Sequence, residues 1–350
     1  MPIRSQSDTI ATPLAPLTTL RLGGPARRLI AVTSETELVS AVTELDAAGE
    51  PLLVLAGGSN VVIADAGFDG TVVHVRTYGI SPVGSDEAIL DVQAGEPWDG
   101  VVAYAVEHGL AGIEALSGIP GSAGATPIQN VGAYGQDVSQ TIVAVRVLDR
   151  ASGHVLELPA ADCDFRYRTS AFKGRDERIV LSVRFGLGDA PTPIAYAELA
   201  RALGVAVGAR APLADVRAAV LGLRRGKGMV VDPADPDSVS AGSFFTNPIL
   251  AADAFAALAA AAGDPPPPAF PEPDGRVKTS AAWLIQHAGF ERGTARGRVG
   301  ISSKHTLALV NRGGATTAEL VAFAREIAAG VERAFGVRLV PEPVFVGHRW

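Results

Sequence analysis

Residues 241–248 read AGSFFTNP, which sets the Ser243 hydroxyl between Gly242 and the paired rings of Phe244 and Phe245. A serine that serves only as a turn or cap usually has small or polar neighbours on both sides. Two large apolar rings draw the backbone towards a dry place, where a hydroxyl needs a backbone partner or has chemistry to perform. Other reactive groups are scattered along the chain. RYRTSAFK at 166–173 gathers Arg166, Tyr167, Arg168 and Lys173, as an anion-handling strand or loop or as a solvated basic edge. Lys227 lies in GKGMVVDP, ahead of the serine, and Lys278 stands just before Trp283, Leu284 and Ile285, a place for a half-buried ammonium. Glu342 sits between two prolines in LVPEPVFVG, and a carboxylate in an apolar extended segment calls for a partner unless it lies on the surface.

Two glycine-rich stretches offer a different chemistry. In LAGGSN, Gly57 and Gly58 follow a strand, let backbone approach a ligand and leave amides free for an anion, with Ser59 and Asn60 adding polar contacts. Taken alone, such a pair also fits an ordinary turn. GIPGSAGATPIQNVGAYG at 118–135 is more distinctive: Gly118, Gly121, Gly124, Gly132 and Gly135 are interleaved with Pro120 and Pro127. That mixture of permissive and rigid residues describes a shaped, ordered loop. Gln129 and Asn130 supply amides suited to a planar heterocycle. Neither stretch is a Rossmann fingerprint or a Walker loop, so a diphosphate-containing cofactor is expected on another fold.

Elements must hold these groups in place. SETELVSAVTELDAAG is expected as a helix, with Ser34 and Glu37 as a capping box and Gly49 as its stop. PLLVLAGGSNVVIAD reads as strand, turn and apolar run, and EPWDGVVAYAVEHG as a second helix. TIVAVRVLD and HVLELPA read as a hairpin turning at Ser152-Gly153. Helices are expected over 211–225, over the alanine-rich AADAFAALAAAAGD and over TTAELVAFAREIAAGVERAFG, the last capped by Thr316 and Glu319. DPPPPAFPEPDG reads as a stiff surface spacer, and VRLVPEPVFVG as a closing strand. Helix and strand alternate, as in α/β or α+β proteins.

Composition excludes several classes. The 350 residues suffice for two or three domains, with 47% hydrophobic and 19% charged residues in a globular balance. A net charge of −7 and the lack of a basic block speak against nucleic acid. Cys163 is the single cysteine and the six histidines are scattered, so no disulfide framework or metal site is expected. No apolar run approaches the roughly 18 residues of a membrane helix, and no signal-peptide core opens the chain.

Taken in order, GGSN, IPG, PIQNVGAYG, YRTS, GSFFTNP and the terminal PE resemble the UDP-N-acetylenolpyruvoylglucosamine reductase family, from TTLRLGGPA at 18–26 to PEPVFVG near the end. The resemblance implies an α+β fold: a two-lobed FAD-binding domain of the vanillyl-alcohol-oxidase (PCMH) type, then a smaller α/β substrate-binding domain. Its implied boundaries are a flexible lead-in over 1–17, the FAD domain over 18–190 (lobes 18–75 and 76–190), a tyrosine loop and connecting helix over 191–228, the substrate domain over 229–335, and a strand over 336–350 returning to the first lobe. Non-covalent FAD is implied against Gly57, Gly58, Ser59, Asn60, Ile119, Pro120, Gly121, Gly124, Gln129, Asn130, Gly132, Ala133 and Tyr134. NADPH would reduce the flavin. Flavin N5 would then pass hydride to C3 of the enolpyruvyl ether of UDP-N-acetylglucosamine, and Ser243 would give a proton to C2. Arg168 and Glu342 would stabilise the enolate-like charge, with Lys278 as supporting cation. In the family branch with an inserted loop, a tyrosine closes over the substrate diphosphate, and Tyr196 falls in that interval. Lys227, Asn247, Lys278, Lys304 and His305 complete the implied substrate contacts. The product would feed peptidoglycan synthesis, in a cytoplasmic monomer.

The sequence departs from the family pattern at Ala56, where a first glycine is usual, at Thr246, where lysine is usual, and at Pro343, where valine is usual. The lysine-to-Asp-Pro spacing after Lys227 is stretched, Lys304 and His305 occupy the place of an expected glutamine, and residues 264–273 read as an insertion. Two rival readings are an FAD-dependent hydroxy-acid or alcohol oxidase of the same fold, and a non-catalytic nucleotide-sugar binder. Neither needs Ser243 as an acid.

Overall fold

In the computed structural model, which describes residues 11–84 and 86–350, the chain forms two units. The first comprises the stretch up to Thr18, Gly23–Gly58 and Ala66–Leu223. Its parallel lobe is built by a strand–helix–strand crossover. Strands Pro25–Val32 and Leu52–Leu55 both pair parallel with Phe68–Val75, which lies between them. Helix Glu35–Ala47 buries Leu38, Ala41, Val42 and Leu45, the one-face spacing of a half-buried helix. The Ser34 side chain accepts from the Glu37 N–H, while the Glu37 carboxylate turns to Thr33 instead of closing the capping box. The lead-in differs from expectation: Thr12–Pro13 pairs antiparallel with Pro25–Val32, followed by a 3-10 turn at Ala15–Leu17. Residues 1–10 of that segment lie outside the described residues.

The second lobe of this unit is a five-stranded antiparallel sheet, ordered His154–Pro159, Ile142–Asp149, Arg178–Gly186, Asp86–Gln93 and Ile80–Val83. The expected hairpin turns at Gly153, whose φ of 70° suits glycine. Helix Trp98–Glu107 buries Trp98, Val101, Val102 and Ala105 in a core that also takes Leu38, Leu90, Val145 and Phe185. Two bidentate-type ion pairs rivet the lobes: Arg146 to Glu35 at 2.9 Å and Arg150 to Asp46 at 2.5 Å, near the two ends of helix Glu35–Ala47. Residues beyond 190 pack on the same unit, where Ile194, Leu199, Ala211, Val216 and Val220 share a small core with Ala115.

The second unit draws on three places in the chain: Thr19–Leu22, Ser59–Asp65 and Arg224–Trp350. An antiparallel sheet, ordered Ser240–Ser243, Ala308–Asn311, Val299–Ile301 and Ala295–Arg296, shares a core with helices Ala281–His287 and Thr317–Phe335. The expected Thr316–Glu319 capping box is complete. Asp65 accepts from the N–H groups of Thr317 and Ala318, which adds a carboxylate at that helix start. The proline-rich stretch does more than space its neighbours: Phe270–Pro271 forms the edge of a sheet with Val277–Lys278 and Ile249–Leu250. Proline is tolerated there because an edge strand need not donate every N–H. Of the closing segment only Val344–Val346 is strand, parallel to Val61–Ile63, since Pro341 and Pro343 upstream have no N–H to give.

Candidate active site

The two glycine-rich stretches meet in the first unit. A Cβ on Gly57 would lie 2.7 Å from Gly121 Cα, so the two backbones touch and only glycine fits. Gly58 has φ +56°, and a Cβ there would meet the Leu17 carbonyl oxygen at 1.9 Å. Its need for glycine therefore arises from the chain itself. A Cβ on Gly124 would stand 2.6 Å from the Ala94 Cβ. The Gly121 carbonyl accepts from Trp98 N–H, and Ile119 packs against the core with Pro120 beside it half-buried. Between Gly121 and Gly124 sits Ser122, 3% exposed, whose hydroxyl has no hydrogen-bond partner among the described residues.

The basic segment wraps the far half of this loop. Arg168 donates to the carbonyls of Asn130, at 3.4 Å, and Gly132, at 2.5 Å. Ser170 donates to Ile128 O at 2.7 Å, and Asn130 donates to Arg166 O at 3.2 Å. The Asn130 oxygen accepts from Ser139 N–H, so both ends of this amide hold the loop in its φ +46° conformation instead of facing outward. Gln129 is half-buried in the same run, and Ala133 pairs with Gln136. The Tyr134 ring meets the Tyr196 ring edge-on, 5.6 Å between centroids. Tyr196 occupies the N-cap position of helix Ala197–Leu203 and is 46% exposed.

In the second unit, Ser243 ends a strand whose register against Ala308–Asn311 slips by one residue after Ser240. Gly242, at φ +72°, supplies the bulge. Such a bulge re-aims the side chain that follows. Phe244 and Phe245 are buried as expected, but Ser243 itself is half-buried and less dry than the sequence implied, because the bulge turns it out of the core. Among the described residues the structure gives its hydroxyl no hydrogen-bond partner. The chain after it pairs with the Glu342 segment: Glu342 N–H donates to Phe244 O at 2.9 Å and Thr246 N–H to Val340 O at 3.0 Å. Asn60 ties in the same segment, donating to Glu342 O at 3.4 Å and accepting from Val344 N–H at 3.0 Å. Ser59 precedes it and accepts from the Thr19 hydroxyl.

Several expected substrate contacts have structural partners. Lys278 pairs at 2.6 Å with Glu272, which directly follows the edge strand Phe270–Pro271. The Asn247 oxygen caps helix Ala281–His287 through Ala281 N–H at 3.0 Å. Lys304 pairs with Asp235 at 2.8 Å, a bond that raises its pKa, while His305 N–H is held by Ser302. Lys227 follows directly on helix Leu213–Gly226. Sequence reasoning singled out neither Ser122 nor the buried Glu114 described below. A hydroxyl inside a shaped glycine loop was the available signal for the first.

Among the described residues no cluster of His, Cys, Asp and Glu is set to hold a metal, and no helix is long and apolar enough to cross a membrane. Residues 26–159 match the FAD binding domain family, and residues 233–346 match the C-terminal domain of UDP-N-acetylenolpyruvoylglucosamine reductase. The fold and this pairing of domains define a flavoprotein oxidoreductase that uses FAD. UDP-N-acetylenolpyruvoylglucosamine reductases of Thermobifida fusca and Streptomyces coelicolor are 59% and 58% identical to the chain, over 96% of it and over 97% and 89% of their own lengths. The crystal structure of the UDP-N-acetylenolpyruvylglucosamine reductase of Thermus caldophilus superposes with a TM-score of 0.66 at 25% identity, covering 95% of this chain and 97% of that one. The chain belongs to the UDP-N-acetylenolpyruvoylglucosamine reductase family. The first unit fits the cofactor: at Gly57 and Gly121 two backbones without side chains come together, and the Ser122 hydroxyl next to them, which has no partner among the described residues, offers a buried polar group for a ligand.

Proposed function

We propose that the chain reduces the enolpyruvyl ether of UDP-N-acetylglucosamine to UDP-N-acetylmuramate, with NADPH as electron source, in the cytoplasm and as a monomer. The observation that carries the reading is the Ser243 bulge, which presents an unpartnered hydroxyl beside the backbone that holds Glu342. FAD, when bound and reduced, supplies the hydride that C3 of the enol ether accepts. Residues 57–60 and 119–134 bind and orient it, Arg168 by latching the loop carbonyls at 130 and 132. As hydride arrives at C3, charge moves towards C2 and the substrate carboxylate. Arg168 stabilises that charge by ion pairing and Glu342, in its protonated form, by donating a hydrogen bond. Ser243 then delivers its proton to C2 and is reprotonated from solvent, which adds two hydrogens across the double bond. Lys278, which pairs with Glu272, is the candidate cation that supports this proton transfer. Tyr196 meets the substrate diphosphate.

The test is an anaerobic titration of the yellow holoenzyme. NADPH should bleach the flavin, and the enolpyruvyl UDP-sugar should restore the colour with one equivalent of UDP-N-acetylmuramate. Colour returning only with oxygen would favour an oxidase, and a colourless protein that still binds UDP-sugars would favour a sensor.

A further inference from the structure

Glu114 is 1% exposed and, among the described residues, no lysine, arginine or histidine forms an ion pair with it. Buried carboxylates ordinarily sit beside a cation. Here hydrogen-bond donors take that place. The Gly112 N–H donates to one oxygen at 2.6 Å, and the Gln136 amide nitrogen, at 2.9 Å, and the Thr192 hydroxyl donate to the other. The direction of every bond is fixed. Gln136 accepts from Ala115 N–H through its oxygen at 2.7 Å, so its nitrogen has to face Glu114 and Thr192. Thr192 accepts from that nitrogen at 2.6 Å and must therefore donate to Glu114. Position 114 needs a group that accepts at both oxygens, which a carboxylate does and an amide does not.

The node joins two segments of the first unit. Gln136 directly follows the glycine-rich loop ending at Tyr134-Gly135, and Thr192 lies between Pro191 and Pro193, shortly before Tyr196. Prolines with fixed φ transmit the position of Thr192 along the segment. Two more contacts follow the same seam: the Tyr134–Tyr196 edge contact, and Gly135 at φ +88°, where a Cβ would stand 3.1 Å from the Ala195 Cβ. We infer that Glu114, Gln136 and Thr192 are positioning residues that set the Tyr196 segment against the flavin loop and so govern affinity for the nucleoside-diphosphate part of the substrate. The inference rests on the reading that Tyr196 meets that diphosphate.

Steady-state and stopped-flow kinetics of the holoenzyme variants test it. Thr192→Val and Glu114→Gln should each raise KM for the enolpyruvyl UDP-sugar about tenfold, the weight of one hydrogen bond to a charged group. Both kcat and flavin reduction by NADPH should stay within about twofold. The exchange Glu114→Gln with Gln136→Glu restores every donor–acceptor pair in reverse and should return KM to the wild-type value. Unchanged KM in both single variants, or parallel losses in KM, kcat and flavin reduction that the exchange does not repair, overturns the assignment. Should Glu114→Gln fail to fold, Thr192→Val, which loses a single hydroxyl, decides alone. Tyr196→Phe separates the two ideas, because an unchanged KM there refutes the substrate role of Tyr196. In that case, hydrogen exchange at residues 194–196 in the substrate-free holoenzyme decides for the node. Faster exchange in Thr192→Val supports the positioning, and unchanged exchange refutes it.

Discussion

Ser243→Ala separates chemistry from architecture more cleanly than any other change in this protein. The hydroxyl makes no hydrogen bond among the described residues, and the bulge that aims it is set by Gly242 at φ +72°. Alanine therefore removes no bond and leaves the backbone as it is. Stability should change by no more than about 0.5 kcal/mol, the range for substitutions that break no buried contact. Catalysis should suffer far more. A positioned acid contributes roughly 10²–10⁴-fold, equivalent to about 2.7–5.5 kcal/mol of barrier. The loss should fall wholly on the second half-reaction, since no proton is needed at C2 until hydride has left the flavin. The assay is stopped-flow reoxidation of enzyme pre-reduced with NADPH, beside a denaturant titration of the same preparation. Ser243→Cys, which also has a proton to give, should recover part of the rate. Reoxidation of the alanine variant at the wild-type rate would refute the argument and leave Ser243 as a turn residue.

Gly57→Ala should yield protein with reduced FAD content, because its Cβ would stand 2.7 Å from Gly121 Cα, and absorbance at the flavin band measures it. Arg168→Ala should lose FAD as well as slow reoxidation, since its guanidinium bonds two loop carbonyls, whereas Glu342→Gln should keep full flavin content and normal reduction by NADPH. Burial, with a smaller effect of Asp162, pushes the Cys163 thiol up to about 11, so at pH 8 the native protein should resist iodoacetamide while unfolded protein reacts readily. Burial and then Arg76 lower the pKa of His74 from 6.5. The unfolded chain takes up a proton before the folded one does, so stability should fall as pH drops below about 6.5. Urea midpoints at pH 5.5 and 7.5 should show that fall, reduced in His74→Gln.

Local signals were legible in the sequence. The capping hydroxyls of Ser34 and Thr316, the Gly153 turn and the buried face of helix Glu35–Ala47 all depend on residues within a few positions. The partners of Gly58, Asn247 and Lys278 were not legible, because Leu17, Ala281 and Glu272 reach them only through the fold. Glycines that looked shaped for a ligand are partly shaped for the chain itself. Ser243 illustrates the limit best. Its neighbours were read correctly as buried, yet a one-residue slip against Ala308–Asn311 decides where its own side chain points, and no periodicity marks that slip. Glu114 stayed hidden for a similar reason: its donors are spread over Gly112, Gln136 and Thr192.

The strand Val344–Val346 closes the second unit on Val61–Ile63, and just before it Glu342 docks on Phe244. During synthesis, Val61–Ile63 leaves the ribosome early and must wait for its partner until nearly the whole of this sequence has been translated. Pairing at such sequence separation is slow to form. A chain that stopped before Glu342 would lack both the closing strand and the carboxylate beside it. Completion of this unit and arrival of Glu342 are thus one event, and a chain stopped short of both would expose the unpaired edge of Val61–Ile63, a mark by which proteases can remove it.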